Sequence, residues 1–591
     1  MKTIILQILM IAFSPILVFG QWVNNPTLNS PICVTQDWSV LPRIVTDEDG
    51  NSYISWFSGD ENLNFNVYMQ RLDAYGNNLW ENNGLLISDN QTDTWVCDYD
   101  LVLDNENAAV LVTQDRRTGA SNAFAYRMSS TGEFLWGDNG IQLTNTPEAD
   151  YTPKAIVTDN NDFIFMWNIV PEDTTNTPVK VGMQKVSAAG SFLWGDGVVV
   201  SDTMHYYACK GELTSENDLM ASWLVCPVVD TIHPGTEIYF HVLAQKFDMD
   251  GNAQWENPIQ VDTGKLLLYL AIYTNPKMIC DDNGGAFILW ESFFGDNATL
   301  LLQHIDKDGN LLWPGPLNIS TLMEDIHGVS QICKMEENQE IYVFWQEFRL
   351  EGSTDCFGIY GQKISYAGER LWGDEAKAII PLNCAMDTTI FPTKVKKTTA
   401  NDVIVFFEKE YLEVVGPDTL IDTELYATRI GSDGQFLWDE EIINVSTADG
   451  EKSYYMGVSD CVNDQLIAVW SDDRNSFNEM ETDIYAQNIH VDGSIGPQGI
   501  FEVNESSKNV INNFPNPFSN NTTISISIIE NCDIKLSLYD YNGKFIKEIF
   551  NKYLLIGNHK IPFNESDLNQ GVYILKCESK ENFVFHKMVI I

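Results

Sequence analysis

Short apolar runs that close on an aromatic side chain recur along most of the chain. Tyr53-Ile-Ser-Trp56, Phe163-Ile-Phe-Met-Trp167, Leu219-Met-Ala-Ser-Trp223, Ala286-Phe-Ile-Leu-Trp290, Ile341-Tyr-Val-Phe-Trp345, Val403-Ile-Val-Phe-Phe407 and Leu466-Ile-Ala-Val-Trp470 are the clearest, and one further unit has Thr113 where the Trp would stand. Their shortness and nearly continuous apolar character predict strands covered on both faces, and no helical period competes with them. A shorter segment precedes each run, often opened by Pro (Pro42-Arg-Ile-Val, Pro153-Lys-Ala-Ile, Pro276-Lys-Met-Ile, Pro392-Thr-Lys-Val), with a polar turn such as Asp47-Glu-Asp-Gly-Asn51 between the two. Pro as first strand residue fits, because it has no N–H to give to a ladder. A third segment (Val67-Tyr-Met-Gln-Arg-Leu72, Tyr360-Gly-Gln-Lys-Ile364, Tyr485-Ala-Gln-Asn-Ile489) runs into a Gly turn, and a fourth strand is expected to carry a Trp.

The Gly turn sets the period. Gly and Trp stand four apart at Gly76/Trp80, Gly132/Trp136, Gly190/Trp194, Gly251/Trp255, Gly309/Trp313, Gly368/Trp372 and Gly434/Trp438, and an eighth copy at Gly493 has lost its Trp. Successive glycines lie 56, 58, 61, 58, 59, 66 and 59 residues apart. Four short strands in about 60 residues are too few for tandem sandwich domains, which need about 100 each. An eight-bladed β-propeller, each four-stranded blade covered by its neighbours, accounts for the pattern and the doubly buried second strands. A ring must also hide its two end edges. Trp22 to Cys33 reads like an isolated fourth strand, so these residues are expected to complete the last blade, whose own fourth strand is degenerate.

Composition adds a location and a partner class. The chain of 591 residues has 35 Lys+Arg against 83 Asp+Glu, a net charge of −48, which excludes nucleic-acid binding because a phosphate backbone needs a basic surface. Residues 1–20 combine Lys2, an apolar run from Ile4 to Phe19 and small residues before the cut at Gly20, the pattern of a secretory signal peptide. No later segment reaches 18 apolar residues, so no transmembrane anchor is expected in the mature chain. The 11 Cys are an odd number scattered over a long chain, which argues against a disulfide framework and leaves their pairing open.

After Val503 the text changes. Residues 508–591 hold 9 Lys and 8 acids, net +1, whereas 21–507 hold 25 basic and 75 acidic residues, net −50. Asn513-Phe-Pro-Asn-Pro-Phe518, Thr522-Ile-Ser-Ile-Ser-Ile-Ile528, Ile534-Lys-Leu-Ser-Leu-Tyr-Asp-Tyr-Asn-Gly-Lys544, Leu568-Asn-Gln-Gly-Val-Tyr-Ile-Leu575 and His586-Lys-Met-Val-Ile-Ile591 alternate strands and turns, as a small immunoglobulin-like β-sandwich would. They resemble the type A C-terminal sorting domain of the type IX secretion system of Bacteroidetes, with Pro515, Asn516, Pro517, Gly543, Lys544, Gly571, Tyr573 and Lys587 as the matching positions. The resemblance implies Sec export, passage through the type IX translocon, removal of the tail and release or anchoring at the cell surface. The expected organisation is therefore a signal peptide at 1–20, a propeller at 21–503, a linker at 504–511 and a sorting domain at 512–591.

Candidate chemistry is sparse. No GxSxG elbow, HExxH pair, Walker loop or dinucleotide fingerprint occurs, and no cofactor is expected. The Asp-Gly turns (Asp248-Met-Asp-Gly251, Asp306-Lys-Asp-Gly309, Ser432-Asp-Gly434) resemble the Asp box of sialidase propellers, but their Trp comes four positions after Gly instead of three and they read better as hairpin turns. Turns such as Asp47-Glu-Asp-Gly place carboxylates two apart, which allows weak calcium binding without the full EF-hand set. Acids with a nearby Arg follow the second strand at Asp115/Arg116, Glu347/Arg349 and Asp472/Arg474. They mark either a binding face for a sugar or carboxylate or plain hairpin ties. The leading expectation is a non-catalytic binding module for a glycan or protein, partnered in transit by the Sec and type IX machinery. The alternative is a secreted glycan-active hydrolase with carboxylates around the propeller channel.

Overall fold

The computed structural model describes residues 22–35, 37–59, 64–92, 99–174, 177–228, 239–262, 266–267, 276–294, 297–322, 325–351, 354–384, 388–415, 418–452, 455–476, 481–497, 510–514, 518, 521–528, 531–540, 544–555, 557–564, 568, 570–579 and 583–590. The expected signal peptide, most of the expected linker, and Pro515, Asn516, Pro517 and Gly543 lie outside them. The chain divides into two compact units, Met1–Gly496 and Pro497–Ile591.

The first unit is all-β: its described residues hold one short 3-10 turn, Glu336–Asn338, and otherwise strands. They form eight antiparallel sheets in chain order, each with four strands in sequence; the fourth sheet has one extra two-residue strand, Leu266–Leu267. The first sheet consists of Trp38–Thr46, Ser52–Gly59, Phe65–Leu72 and Leu85–Ser88. The eighth consists of Gly457–Val458, Gln465–Asp472 and Asp483–His490, and its fourth place is taken by the N-terminal strand Ser30–Cys33, with Ser30 opposite Ala486. The second strands are buried along their length, for example every residue of Ser52–Gly59 and Ala109–Asp115, because both faces are covered by neighbouring sheets. Separate hydrophobic clusters fill each gap. Tyr53 and Phe57 of the first sheet pack with Leu111 and Tyr126 of the second, and Ile467 and Ile484 of the eighth pack with Ile54 and Trp56 of the first. The succession thus returns to its start, the arrangement of a β-propeller.

The first strands face inward. Each first strand comes within 8 Å, Cα to Cα, of the first strand of the next sheet, from Trp38–Thr46 round to Gly457–Val458 and back to Trp38–Thr46. The expectation that Pro opens these strands needs correction. Pro42, Pro153 and Pro392 sit inside longer strands, where the register shifts between Val40 and Arg43, Tyr151 and Lys154, and Pro392 and Lys394. A bulge leaves a residue out of the ladder, so the missing N–H costs no hydrogen bond there.

The repeated Trp is not in the fourth strand either; it lies in the turn ahead of it, and reaches to the next sheet. Its indole Nε1 donates to the carbonyl two residues before the next Gly: Trp80 to Ser130 (3.2 Å), Trp136 to Ala188 (3.0 Å), Trp194 to Met249 (2.9 Å), Trp255 to Lys307 (3.1 Å), Trp313 to Tyr366 (3.3 Å), Trp372 to Ser432 (3.1 Å) and Trp438 to Val491 (2.8 Å). Trp22, far away in sequence, makes the eighth such bond, to Ala74 at 3.1 Å. The motif is therefore a staple between neighbouring sheets, and a Gln of the third strand holds the stapling turn: Gln70 accepts from the Trp80 N–H at 3.2 Å and donates to the Glu81 carbonyl at 2.7 Å.

The Gly is required twice. At Gly76 the backbone is left-handed (φ +81°), and a Cβ would sit 2.8 Å from the Trp22 ring. Gly76→Ala should cost about 2–4 kcal/mol, conformational strain plus overpacking, while Gly137→Ala (φ +82°, with nothing within 4 Å of a Cβ) should cost only about 1–2 kcal/mol. Urea melts of the two variants check this, and equal losses would contradict the staple.

One disulfide links Cys356 and Cys384, closing 28 residues within the sixth sheet. Four of the remaining described cysteines in this unit, Cys33, Cys209, Cys226 and Cys280, are buried small apolar side chains.

The second unit is a separate β-sandwich. Val510–Phe514, Asn521–Ile528 and Gly557–Asn564 form one sheet. Phe545–Leu554, Cys532–Asp540, Gly571–Glu578 and Phe583–Ile590 form the other, in that spatial order. Both contribute to one core around Ile524, Ile526, Leu536, Leu538, Phe563, Leu575 and Met588. Tyr573 belongs to this core, Lys544 is exposed, Gly571 opens the third strand of the larger sheet, and Lys587 lies in the last strand opposite Ile574.

Candidate functional site

The inward first strands bring one residue per sheet to a common register, opposite the residue just before the second-strand aromatic position. Arg43 faces Ser55, Lys154 faces Met166, Lys210 faces Ser222, Lys277 faces Leu289 and Lys394 faces Phe406. The other three positions are Asp100 opposite Val112, Gln331 opposite Phe344 and Gly457 opposite Val469. Five of eight places on the innermost strands are thus cationic in a chain whose net charge is −48. Asp100 lies 3.6 Å from Arg43.

These cations feel one another across the axis. Burial, then the fields of Arg43, Lys396 and Lys277, push the Lys394 ammonium down to about 8, against the weaker opposing pull of Glu408. Arg43, Lys277 and Lys394 belong to the first, fifth and seventh sheets, so no strand pairing connects them and their mutual repulsion runs through the centre of the ring. Lys277 is likewise lowered by burial, with Glu291 opposing, and its Nζ donates to Ser330 Oγ at 3.4 Å. Each of these side chains lies deep in the molecule yet keeps part of its surface accessible, as axis-lining groups do.

An aromatic tier adjoins the cations. Across the bulge from Lys154, Lys210 and Lys394 stand Tyr151, Tyr207 and Phe391, opposite Asn168, Leu224 and Glu408, on the face that the cations share. The bulges hold non-glycine residues in the left-handed region, Leu41 (φ 55°), Thr152 (54°), Ala208 (52°) and Val329 (47°). Strain of this kind persists where surrounding structure enforces it.

The acid–Arg pairs read from sequence occupy equivalent places at the ends of second strands, but their partners differ. Asp115 is bound by Arg117 at 2.6 Å, not by Arg116, and Arg117 lies 3.9 Å over the Phe124 ring. Arg349 is bidentate on Asp325 (2.5 and 2.6 Å). Glu347 instead accepts from Trp345 Nε1 at 2.6 Å and lies 3.3 Å from His327. Burial pushes the Glu347 carboxyl up, with His327 opposing. Only Asp472 and Arg474 pair as the spacing suggests, with Nε to Oδ1 at 2.9 Å, and Arg474 also reaches the Leu28 carbonyl and the Asn29 side chain, both at 3.0 Å. All three Asp or Glu carboxylates are buried within these networks.

Turn carboxylates are similarly engaged. Asp47 Oδ1 accepts from the N–H groups of Asp49 (3.1 Å) and Asn51 (2.8 Å), and Asp306 from Asp308 (2.9 Å) and Asn310 (2.8 Å). Among the described residues no group of three or more His, Cys, Asp or Glu side chains is placed to hold a metal ion.

Residues 512–591 match the model of the Secretion system C-terminal sorting domain family. The chain is a cargo of the type IX secretion system, carrying that system's sorting domain at its C-terminal end. The tail directs secretion, with a cell-surface or released outcome, and no helix among the described residues is long and apolar enough to cross a membrane. No curated protein matches the chain. Among solved structures it is similar to a polysaccharide lyase, ulvan lyase, bound to -[GlcA(1-4)Rha3S]- (10% identity, 81% of this chain and 97% of that one, TM-score 0.44). It is also similar to the Penicillium chrysogenum alpha-L-arabinanase complexed with arabinobiose (12% identity, 58% and 93%, TM-score 0.30). At these identities and scores no activity is carried over.

Proposed function

We propose that the first unit is an eight-bladed propeller that serves as an exported, non-catalytic binding module for a glycan or protein, with its ligand held at the axis. The propeller spans residues 21–503, a linker 504–511 follows, and residues 512–591 form an immunoglobulin-like sorting sandwich that brings the chain through the Sec and type IX routes of a Bacteroidetes host. The observation that carries the reading is the axial ring: charged and aromatic side chains are concentrated on the eight innermost strands, where a merely structural ring needs only apolar filling. The charge there is mostly cationic, and Asp100, the acid in the ring, stands beside Arg43. This favours holding a ligand over a pair of carboxylates set for hydrolysis.

A glycan and protein array probed with residues 21–591, run beside a screen for released reducing ends, tests this. Retention without product is expected; turnover would replace the module with the glycan-active hydrolase. For the route, a reporter carrying a signal peptide and residues 508–591 should leave cells of a type IX host, and retention in the periplasm would contradict it.

A further inference from the structure

We propose that the axial ring recognises an acidic oligosaccharide, taking its carboxylate or sulfate groups between Lys277, Lys394 and Arg43 and its sugar faces on the neighbouring aromatic tier. The inference rests on the reading of the axis as the ligand site and names the ligand class.

Like charges gathered at one level repel, and they persist in a fold when a partner of opposite sign completes them. The remaining axial charges do not neutralise the ring. Asp100 stands with Arg43, Glu291 opposes Lys277 and Glu408 opposes Lys394, while Lys154 and Lys210 add two more cations at the same register. One step further along the strands, Lys396 is held by Asp460 at 2.8 Å, and burial pushes the Glu212 carboxyl up to about 7, so Glu212 is uncharged below that pH. Glu408 is fully buried, with both carboxylate oxygens lacking hydrogen-bond partners, and burial, then Glu410, holds its carboxyl well above the ordinary range. A protonated Glu408 leaves the charge of Lys394 uncompensated.

The aromatic tier selects a sugar over a simple ion. Tyr151, Tyr207 and Phe391 stand one bulge from Lys154, Lys210 and Lys394, and aromatic faces beside a few charged donors are how concave sites take an amphipathic ligand. The enclosure argues against a folded protein, because adjacent first strands approach within 8 Å all round the axis.

The test is calorimetry on residues 21–591 with four probes: tetragalacturonate, a sulfated heparin tetrasaccharide, neutral cellotetraose and hexaglutamate. At pH 6.5 at least one acidic tetrasaccharide should bind, and which one binds identifies carboxylate or sulfate as the recognised group. Binding should weaken at least tenfold in Lys277→Met/Lys394→Met, a variant whose melting temperature should not fall because it removes mutually repelling charges. In the unaltered chain binding should weaken as salt rises, and near pH 8 it should take up protons, since an anion restores the Lys394 ammonium.

Binding of cellotetraose with equal affinity, or of hexaglutamate alone, would overturn the acidic-sugar assignment while leaving a binding module in place. Acidic binding unchanged in the double variant would overturn the axial location. No retention of any probe, with none on the array either, would remove this proposal and the module together.

Discussion

Trp22→Ala is expected to destabilise the propeller by about 3–5 kcal/mol, more than the same change at Trp80. Trp22 is 3% exposed, packs with Ile54, Leu72 and Ile467, and staples the Ala74 carbonyl. An internal staple such as Trp80 joins two sheets that the chain connects anyway. Trp22 anchors the N-terminal segment whose strand Ser30–Cys33 completes the eighth sheet, so its loss loosens the seam where nothing covalent joins the last sheet to the first. Removing residues 21–36 altogether should expose strand edges and abolish cooperative folding. Circular dichroism in a urea series checks both; equal midpoints for the Trp22 and Trp80 variants, or an unchanged melt of the deletion, would contradict closure by this segment.

Arg474→Met is expected to cost a further about 3–5 kcal/mol at the same seam, because it strands a buried carboxylate. Asp472 is fully buried and keeps Trp470 Nε1 as a donor at 3.0 Å, but the guanidinium supplies its charge partner. The guanidinium also lies 3.9 Å over the Tyr485 ring and holds the Leu28 carbonyl at 3.0 Å. The double variant Asp472→Asn/Arg474→Met should recover part of the loss, since no uncompensated charge remains. Thermal melts of the two variants decide it: a double variant no more stable than Arg474→Met would show that the ring stacking, not the ion pair, carries the effect.

Much of this architecture was legible in the sequence because each unit repeats a steric requirement. Gly76 and its relatives need a left-handed backbone under an indole ring, and no other residue type fits, so the Gly-to-Trp spacing survives where the loops between drift. What the Trp does was not legible: its partner carbonyl lies about 50 residues away, and spacing within a unit suggests only a strand residue. The acid–Arg pairs show the same limit. Arg116 and Arg117 are indistinguishable by spacing from Asp115, and only the strand end decides which one turns back. The axial ring left a faint signal, a basic residue after Pro in Pro42-Arg43, Pro153-Lys154, Pro276-Lys277 and, one residue later, Lys394. Its meaning depended on the bulges, because a one-residue slip would turn those side chains to the other face.

The central claim is that a ring of eight sheets holds an acidic ligand on its axis. Its most direct test is a crystal structure of residues 21–591 grown with tetragalacturonate or the sulfated tetrasaccharide, whichever binds. Ligand density between Lys277 and Lys394, with a sugar face on Tyr207 or Phe391, is the predicted result. Density confined to the outer loops, or an axis filled by side chains that leave no room for a sugar, would contradict it.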